Sequence, residues 1–184
     1  LASKKTVFLA NAYNFADAVT ASPAAYAGPH QMLLTGALSL NAVTKATITS
    51  LGATQVVILG GTAAISAAVA AEVDAMTGVS VIRVAGEDRY ETAKAFAELL
   101  IQSTGTGGFG WSAANVGIAN IAASGDGADA LAASAYLGTQ KTALLGLNNG
   151  SVPAATTAFL TANKAVTSLL TVFGGVTAVP DAVV

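Results

Sequence analysis

The chain has 184 residues, enough for one domain or two small ones with a core, and its formal net charge of −2 gives no footprint for DNA or RNA. It has no cysteine and a single histidine, His30, which excludes a disulfide framework and a thiolate nucleophile and argues against a clustered zinc site. Hydrophobic residues reach 53% with a mean hydropathy of +0.63. The excess is Ala and Val scattered among Thr, Ser and Gly, however, and no stretch attains the roughly 20 apolar residues of a membrane-spanning helix.

Leu1-Ala2-Ser3-Lys4-Lys5 leads straight into an apolar run, so either the chain is not exported or its signal has already been removed. From there, apolar runs of strand length alternate with longer segments of helical character. This is the signature of β-α units and a mainly parallel sheet, hence an α/β fold. Strands are predicted near Thr6–Ala10, Gln31–Thr35, Gln55–Leu59, Val79–Val84, Val116–Asn120, Thr142–Leu145 and Ser168–Phe173. Helices are predicted near Phe15–Ala27, Asn41–Leu51, Ala64–Met76, Asp88–Thr104, Gly127–Gly138 and Val152–Asn163, with a last one starting near Ala178.

Charged residues are only 10% of the chain, yet five of the eleven residues of Arg83-Val84-Ala85-Gly86-Glu87-Asp88-Arg89-Tyr90-Glu91-Thr92-Ala93 are charged, both arginines among them. Asp88 is placed to cap the helix that follows, with Glu91 reaching back in a variant of the capping box. Tyr90, Ala93, Phe96, Ala97, Leu100 and Ile101 recur at helical spacing as one buried face, while Lys94 and Glu98 pair on the solvent side. The run Gly105-Thr106-Gly107-Gly108-Phe109-Gly110 then ends the helix as a hinge or long loop.

After that loop the pattern returns. Phe15-Ala16-Asp17-Ala18-Val19-Thr20-Ala21-Ser22 is echoed by Gly127-Ala128-Asp129-Ala130-Leu131-Ala132-Ala133-Ser134, and Leu59-Gly60-Gly61-Thr62-Ala63-Ala64 by Phe173-Gly174-Gly175-Val176-Thr177-Ala178. Two motifs recurring in the same order at nearly one offset indicate an internal duplication. The Arg stretch occurs once, so the chain reads as a window on a longer tandem array.

Together, the run from Val56 to Ser66, the Arg-x-x-Gly-x-x-Arg-Tyr-Glu-Thr-Ala stretch, and the paired Ala16-Asp17-Ala18 and Ala128-Asp129-Ala130 segments closely resemble the type 2 cell-wall-binding repeat family. The resemblance covers almost the whole chain. It implies tandem, Toprim-like α/β modules of secreted and surface-layer proteins that anchor attached domains noncovalently to anionic cell-wall polysaccharides. It also implies an extracellular location, no catalysis, and neighbouring tandem modules or a homo-oligomer as partners. In the family's framing a repeat opens with the Arg stretch, giving an incomplete first repeat over 1–80 and a nearly complete second over 81–184. The second Gly-Gly element departs from the first, with Val176-Thr177 replacing Thr62-Ala63 and Pro180 at the position of Ser66.

Several residues are candidates for the binding chemistry. Arg83 and Arg89 offer planar forks matched to phosphate or carboxylate; alternatively they pair with Glu87, Asp88, Glu91 or a helix-start Asp. Arg83, ending a strand, is the more structural of the two and Arg89 the better placed for solvent. Asp17 and Asp129, early in their helices, suit sugar hydroxyls or a cation, or else cap their helices or pair with an arginine. Gly60 and Gly61, with Gly174 and Gly175, lie between strand and helix, where backbone N–H groups can cradle an anion or where only a tight turn is needed. Asn11, Tyr13, Asn14, Asn120 and Ser124 follow strands at the edge where open α/β sheets place ligands. His30 reads as a surface turn residue, and Trp111 either stacks on a sugar or packs inside.

Three functions compete: a wall anchor, a self-associating structural domain, and an α/β enzyme on a phosphate-containing substrate. The enzyme fares worst. There is no P-loop lysine, no G-x-G-x-x-G with its acidic partner, no nucleophile elbow and no D-x-D pair, so no catalytic residue, metal or cofactor is expected.

Overall fold

Residues 4–122 and 127–183 are described by a computed structural model of the chain. In chain order the elements are β1 (Thr6–Asn11), α1 (Phe15–Ala27), β2 (Gln31–Thr35), α2 (Ala42–Ser50), β3 (Gln55–Leu59), α3 (Ala67–Asp74), β4 (Ser80–Val84) and α4 (Arg89–Ile101). They continue as β5 (Asn115–Asn120), α5 (Ala128–Gln140), β6 (Ala143–Leu147), α6 (Ala154–Asn163) and β7 (Leu169–Phe173). Where a final helix is predicted near Ala178, the described residues form a 3₁₀ turn at Asp181–Val183.

Two sheets result, one ordered β2-β1-β3-β4 and the other β6-β5-β7, and every pairing is parallel. Parallel sheets covered on both faces require strands that are apolar on both sides, and β1, β3 and β6 are buried along their whole length. Alternation along β1 still sorts the layers. Phe8 and Ala10 face α1 and α4, in a cluster with Phe96, Leu100, Phe109 and Phe159, while Val7 and Leu9 pack with Ile48, Ile65, Val69 and Val73 of the outer layer. Burying one such ring contributes about 1.5–3 kcal/mol.

The inner cluster runs across both sheets, joining Val57 and Leu59 to Val116, Ile118 and Leu145. Helix α1 packs along α5, and α4 leaves the first sheet after β4 to pack on β6 and α6 of the second. The chain therefore changes sheets between β4 and α4, after the repeat phase at residue 80 and before the Gly-rich loop. That loop is held by its own bonds: the N–H groups of Phe109, Gly110 and Trp111 donate back to carbonyls of Leu99, Gln102 and Leu100.

Candidate functional site

At the carboxyl edge of the first sheet, the ends of β1, β3 and β4 and the starts of α1 and α4 surround a cleft of about 400 Å³. Asn11, Asn14, Asp17, Gly61, Asp88 and Arg89 are among its lining residues. Asn11 closes β1 with two bonds: its Nδ2 donates to the Ala64 carbonyl at 2.6 Å and its Oδ1 accepts from the Tyr13 N–H at 2.7 Å. Asn14 is the N-cap of α1, accepting from the Ala16 N–H at 3.3 Å. Tyr13, between them, is 91% exposed.

Asp17 is buried in the first turn of α1. Burial pushes its carboxyl above the usual aspartate range, and the nearby Arg89 guanidinium partly offsets the shift. The carboxylate lies directly over Gly60. At φ +92 a side chain is strained there in any case, and a Cβ would fall on Asp17 Oδ2 and 2.9 Å from Ala64 Cβ. The second unit repeats this arrangement, with Gly174 at φ +124 placing a would-be Cβ 2.9 Å from Asp129 Oδ2 and 3.1 Å from Ala178 Cβ. The glycine that follows differs in kind: a Cβ at Gly61 or at Gly175 would meet nothing within 4 Å. Close packing accounts for the first glycine of each pair and leaves the second unexplained.

The Arg stretch resolves residue by residue. Arg83 Nη1 donates to the Gly60 carbonyl at 2.7 Å and Nη2 to the Ser66 carbonyl at 3.4 Å, tying β4 to the loop after β3; partial burial lowers its pKa. Gly86 passes so close to α4 that a Cβ would fall on Glu91. Asp88 Oδ1 accepts from the N–H groups of Tyr90 and Glu91, both at 2.8 Å, as the predicted cap. The reach-back expected of Glu91 is not what closes this turn: Thr92 Oγ1 accepts from the Gly86 N–H at 3.1 Å and donates to the Asp88 carbonyl at 3.0 Å. Arg89 Nη1 donates to the Ile121 carbonyl at 3.0 Å, just beyond β5, and its guanidinium lies 6.0 Å from the Phe15 ring centre. It thus bridges α4 to the second sheet. Ala93 is fully buried and Lys94 pairs with Glu98 at 2.9 Å.

The structure brings Asn14, Asp17, Gly60, Gly61 and Arg89 to one rim, with Tyr13 projecting beside them. It places Asp129 about one unit away and commits Arg83 to backbone carbonyls. The Ile121 carbonyl and Phe15, which hold Arg89, carried no sequence signal, since a carbonyl acceptor can belong to any residue. Ser124 and Asp126 lie outside the described residues. His30 corrects the expectation of a surface turn residue: it is buried, edge-on to Phe8 and Phe109, with Nδ1 lacking a hydrogen-bond partner. Trp111 is half-buried against the inner core.

The model of the cell wall binding domain 2 (CWB2) family matches residues 1–70 and 83–184. The chain belongs to this family. Among curated proteins, N-acetylmuramoyl-L-alanine amidase LytC of Bacillus subtilis (strain 168) is 33% identical over 95 residues, which is 52% of this chain and 19% of the amidase. Among solved structures, Cwp6 from Clostridium difficile superposes with a TM-score of 0.82 at 25% identity, covering 98% of this chain and 26% of that one. Cwp8 from the same organism gives a TM-score of 0.74 at 22% identity over 99% of this chain and 28% of that one, a likeness of fold. The chain thus spans about a fifth to a quarter of the relatives it matches. Its alternating β-α units with parallel sheets are those of the Cwp proteins, and CWB2 membership makes it a cell-wall-binding module of the cell surface. Among the described residues no helix is long and apolar enough to cross a membrane.

Proposed function

We propose that the chain is a non-catalytic anchor that holds an attached protein noncovalently to an anionic wall polysaccharide, with sugar hydroxyls entering the cleft at the carboxyl edge. The observation that carries the site is Gly61, a glycine on the cleft wall with open space where a side chain would stand. Glycine at such a point lets a ligand approach the backbone closely. Asn14 and Asp17 supply acceptors for hydroxyls, Tyr13 an exposed ring, and Arg89 a cation held in place by Ile121 and Phe15. In this reading Gly60 and Arg83 shape the loop from behind, and Asp129 with Gly174 marks the corresponding rim of the second unit. In this reading the activity in the Bacillus relative's name belongs to the part of that protein that this chain does not match, the match covering 19% of it. The lone histidine, His30, precedes β2 and so lies at the opposite edge of the sheet from the cleft.

The test combines pelleting with turnover. The purified chain should sediment with whole walls, a Gly61→Leu variant should sediment several-fold less while unfolding at the same temperature, and neither should release soluble wall fragments. Wall hydrolysis by the chain alone would refute the non-catalytic reading.

A second reading, packing against neighbouring tandem modules or another copy, is favoured by a difference between equivalent strands. In the second unit β6 is fully buried, with α4 packed on it, whereas its counterpart β2 leaves Leu34 half-exposed, and Leu38 and Val43 beside it are open to solvent. We propose that 81–184 is the repeating unit, that the helix opening a repeat covers the edge strand of the sheet that follows it, as α4 covers β6, and that an equivalent helix of a tandem neighbour or second copy covers β2. Light scattering of the chain across a concentration series would show self-association; a monomer at every concentration would leave only covalent tandem neighbours as partners.

A further inference from the structure

The charge of this molecule is sorted between the two edges of its sheets. Because every strand pairing is parallel, all strand-to-helix turns share one edge and all helix-to-strand turns the other. The two units are aligned the same way. A Cβ at Gly127, before α5, would collide with Phe15 at the start of α1, and one at Gly138, near the end of α5, would stand 2.7 Å from the Pro23 carbonyl and 2.8 Å from Tyr26 late in α1. The two helices therefore run side by side in one direction.

The carboxyl edge carries Asp17, Glu87, Asp88, Asp129 and Asp181 against two arginines, Arg83 bonded to the Gly60 and Ser66 carbonyls and Arg89 beside Asp17, so its net charge is negative. The opposite edge carries Lys5 before β1, Lys141 before β6 and Lys164 before β7. Glu72 and Asp74, in the last turn of α3, also lie at this edge, where Glu72 lines a groove with Lys45; they leave the lysines in excess there and line neither of the pockets described next. A polyanion meets a repulsive field at the first edge and an attractive one at the second.

The basic edge also has a built pocket. About 180 Å³ lies where the two units meet, walled by Gly28, Pro29, His30, Phe109, Trp111 and Lys141. On the far side of Pro29 a second hollow of about 170 Å³ is lined by Lys5, Thr6 and Gln31. Among the described residues no carboxylate lines either one. His30 is 8% exposed and its Nδ1 has no hydrogen-bond partner, a buried polar atom left unsatisfied in the pocket wall. Trp111 is half-buried, and aromatic faces of this kind stack on sugar rings. Lys141 is fixed at the end of α5, with φ 50 and ψ 50 and its N–H donating to Gly138 and Leu137, while its side chain remains exposed. A volume this small suits a single sugar residue rather than the roughly 300–1,000 Å³ of a drug-sized site.

We propose that this pocket is the acid-reading subsite for the wall polymer. One sugar residue sits against Trp111 with its phosphate or carboxylate on Lys141, and the next acidic group along the polymer meets Lys5 across Pro29. The proposal rests on the reading of the chain as a polysaccharide anchor and assigns the anionic part of that recognition to the edge opposite the Gly61 cleft.

Trp111 is the chain's single tryptophan, so its emission reports this pocket alone. The full chain is titrated with polymer released from walls by mild acid, in three forms: untreated, stripped of phosphodiesters with hydrofluoric acid, and with carboxylates capped as amides by carbodiimide. Untreated polymer should shift the emission saturably and in a salt-sensitive way, and one of the two treatments should abolish the shift, identifying the acid. Lys5→Gln together with Lys141→Gln should weaken both the emission titration and wall pelleting by about tenfold or more. Lys94→Gln, an equal change of charge on α4, should leave both unchanged. Trp111→Phe should still pellet, which checks folding. Pelleting without any emission change, or a Lys5/Lys141 variant that binds as the parent does, would overturn the pocket while leaving the anchor reading standing. A chain that fails to pellet with any wall would remove both.

Discussion

Two adjacent glycines make the sharpest test of the structural reasoning. Gly60→Ala places a Cβ on the Asp17 carboxylate and against Ala64 in a backbone conformation at φ +92. A strained φ costs about 1–3 kcal/mol and overpacking a buried site about 1–3 more, so the loss should total about 2–6 kcal/mol. That is a large part of the stability of an ordinary domain, about 5–15 kcal/mol. For a chain of this length it should lower the unfolding midpoint by on the order of 10 °C. Gly61→Ala adds a methyl to open space at no positive φ, and by limiting the unfolded chain it should change stability by less than about 1 kcal/mol, in the stabilising direction if at all. Thermal unfolding followed by circular dichroism distinguishes the two. Equal midpoints for the variants, or a Gly61→Ala protein that unfolds as early as Gly60→Ala, would refute the account of this loop.

Other expectations follow from the same contacts. Arg89→Met removes the bond to the Ile121 carbonyl and the cation beside Asp17, and should cost about 1–3 kcal/mol by denaturant titration; a loss below about 0.5 would show that the bridge between units is idle. The carboxyl of Asp17 is raised, so its contribution favours folding below the ordinary aspartate pKa of 3.8 and is lost as pH rises through the folded value. At pH 7, Asp17→Asn should therefore be no less stable than the parent, and a clear drop in midpoint would contradict this. The imidazole of His30 is shifted the other way, below 6.5, chiefly by burial. Its contribution is complete above 6.5 and is lost as pH falls through the folded value, so unfolding midpoints should decline below pH 6.5 and His30→Leu should flatten that decline. The exposed pair of Lys94 and Glu98 should matter little, with Lys94→Gln costing under about 0.5 kcal/mol.

Strand and helix order was legible because Val56-Val57-Ile58-Leu59 and its counterparts are uninterrupted apolar runs bounded by glycine and polar turns, which the interior of a parallel sheet requires. The α4 face followed from helical spacing, and Asp88 as its cap from residue type. The duplication, seen in two short echoes, reappears as the same carboxylate-over-glycine contact at Asp17–Gly60 and Asp129–Gly174. What stayed hidden depends on distant pairings. Nothing local distinguishes His30 beside Gly-Pro on a surface from His30 enclosed by Phe8 and Phe109, which lie 22 and 79 residues away in the chain. Nor does the Arg stretch announce that its arginines bond to carbonyls of Gly60, Ser66 and Ile121 rather than to the acids beside them. The opposition of acidic and basic edges emerges only once parallel pairing assigns each loop to a side.

Co-sedimentation of the purified chain with cell walls, before and after acid extraction of their polysaccharide, tests the central claim most directly. The chain should pellet with intact walls and remain in solution with extracted ones. Equal pelleting with both would contradict an anionic polysaccharide as the ligand.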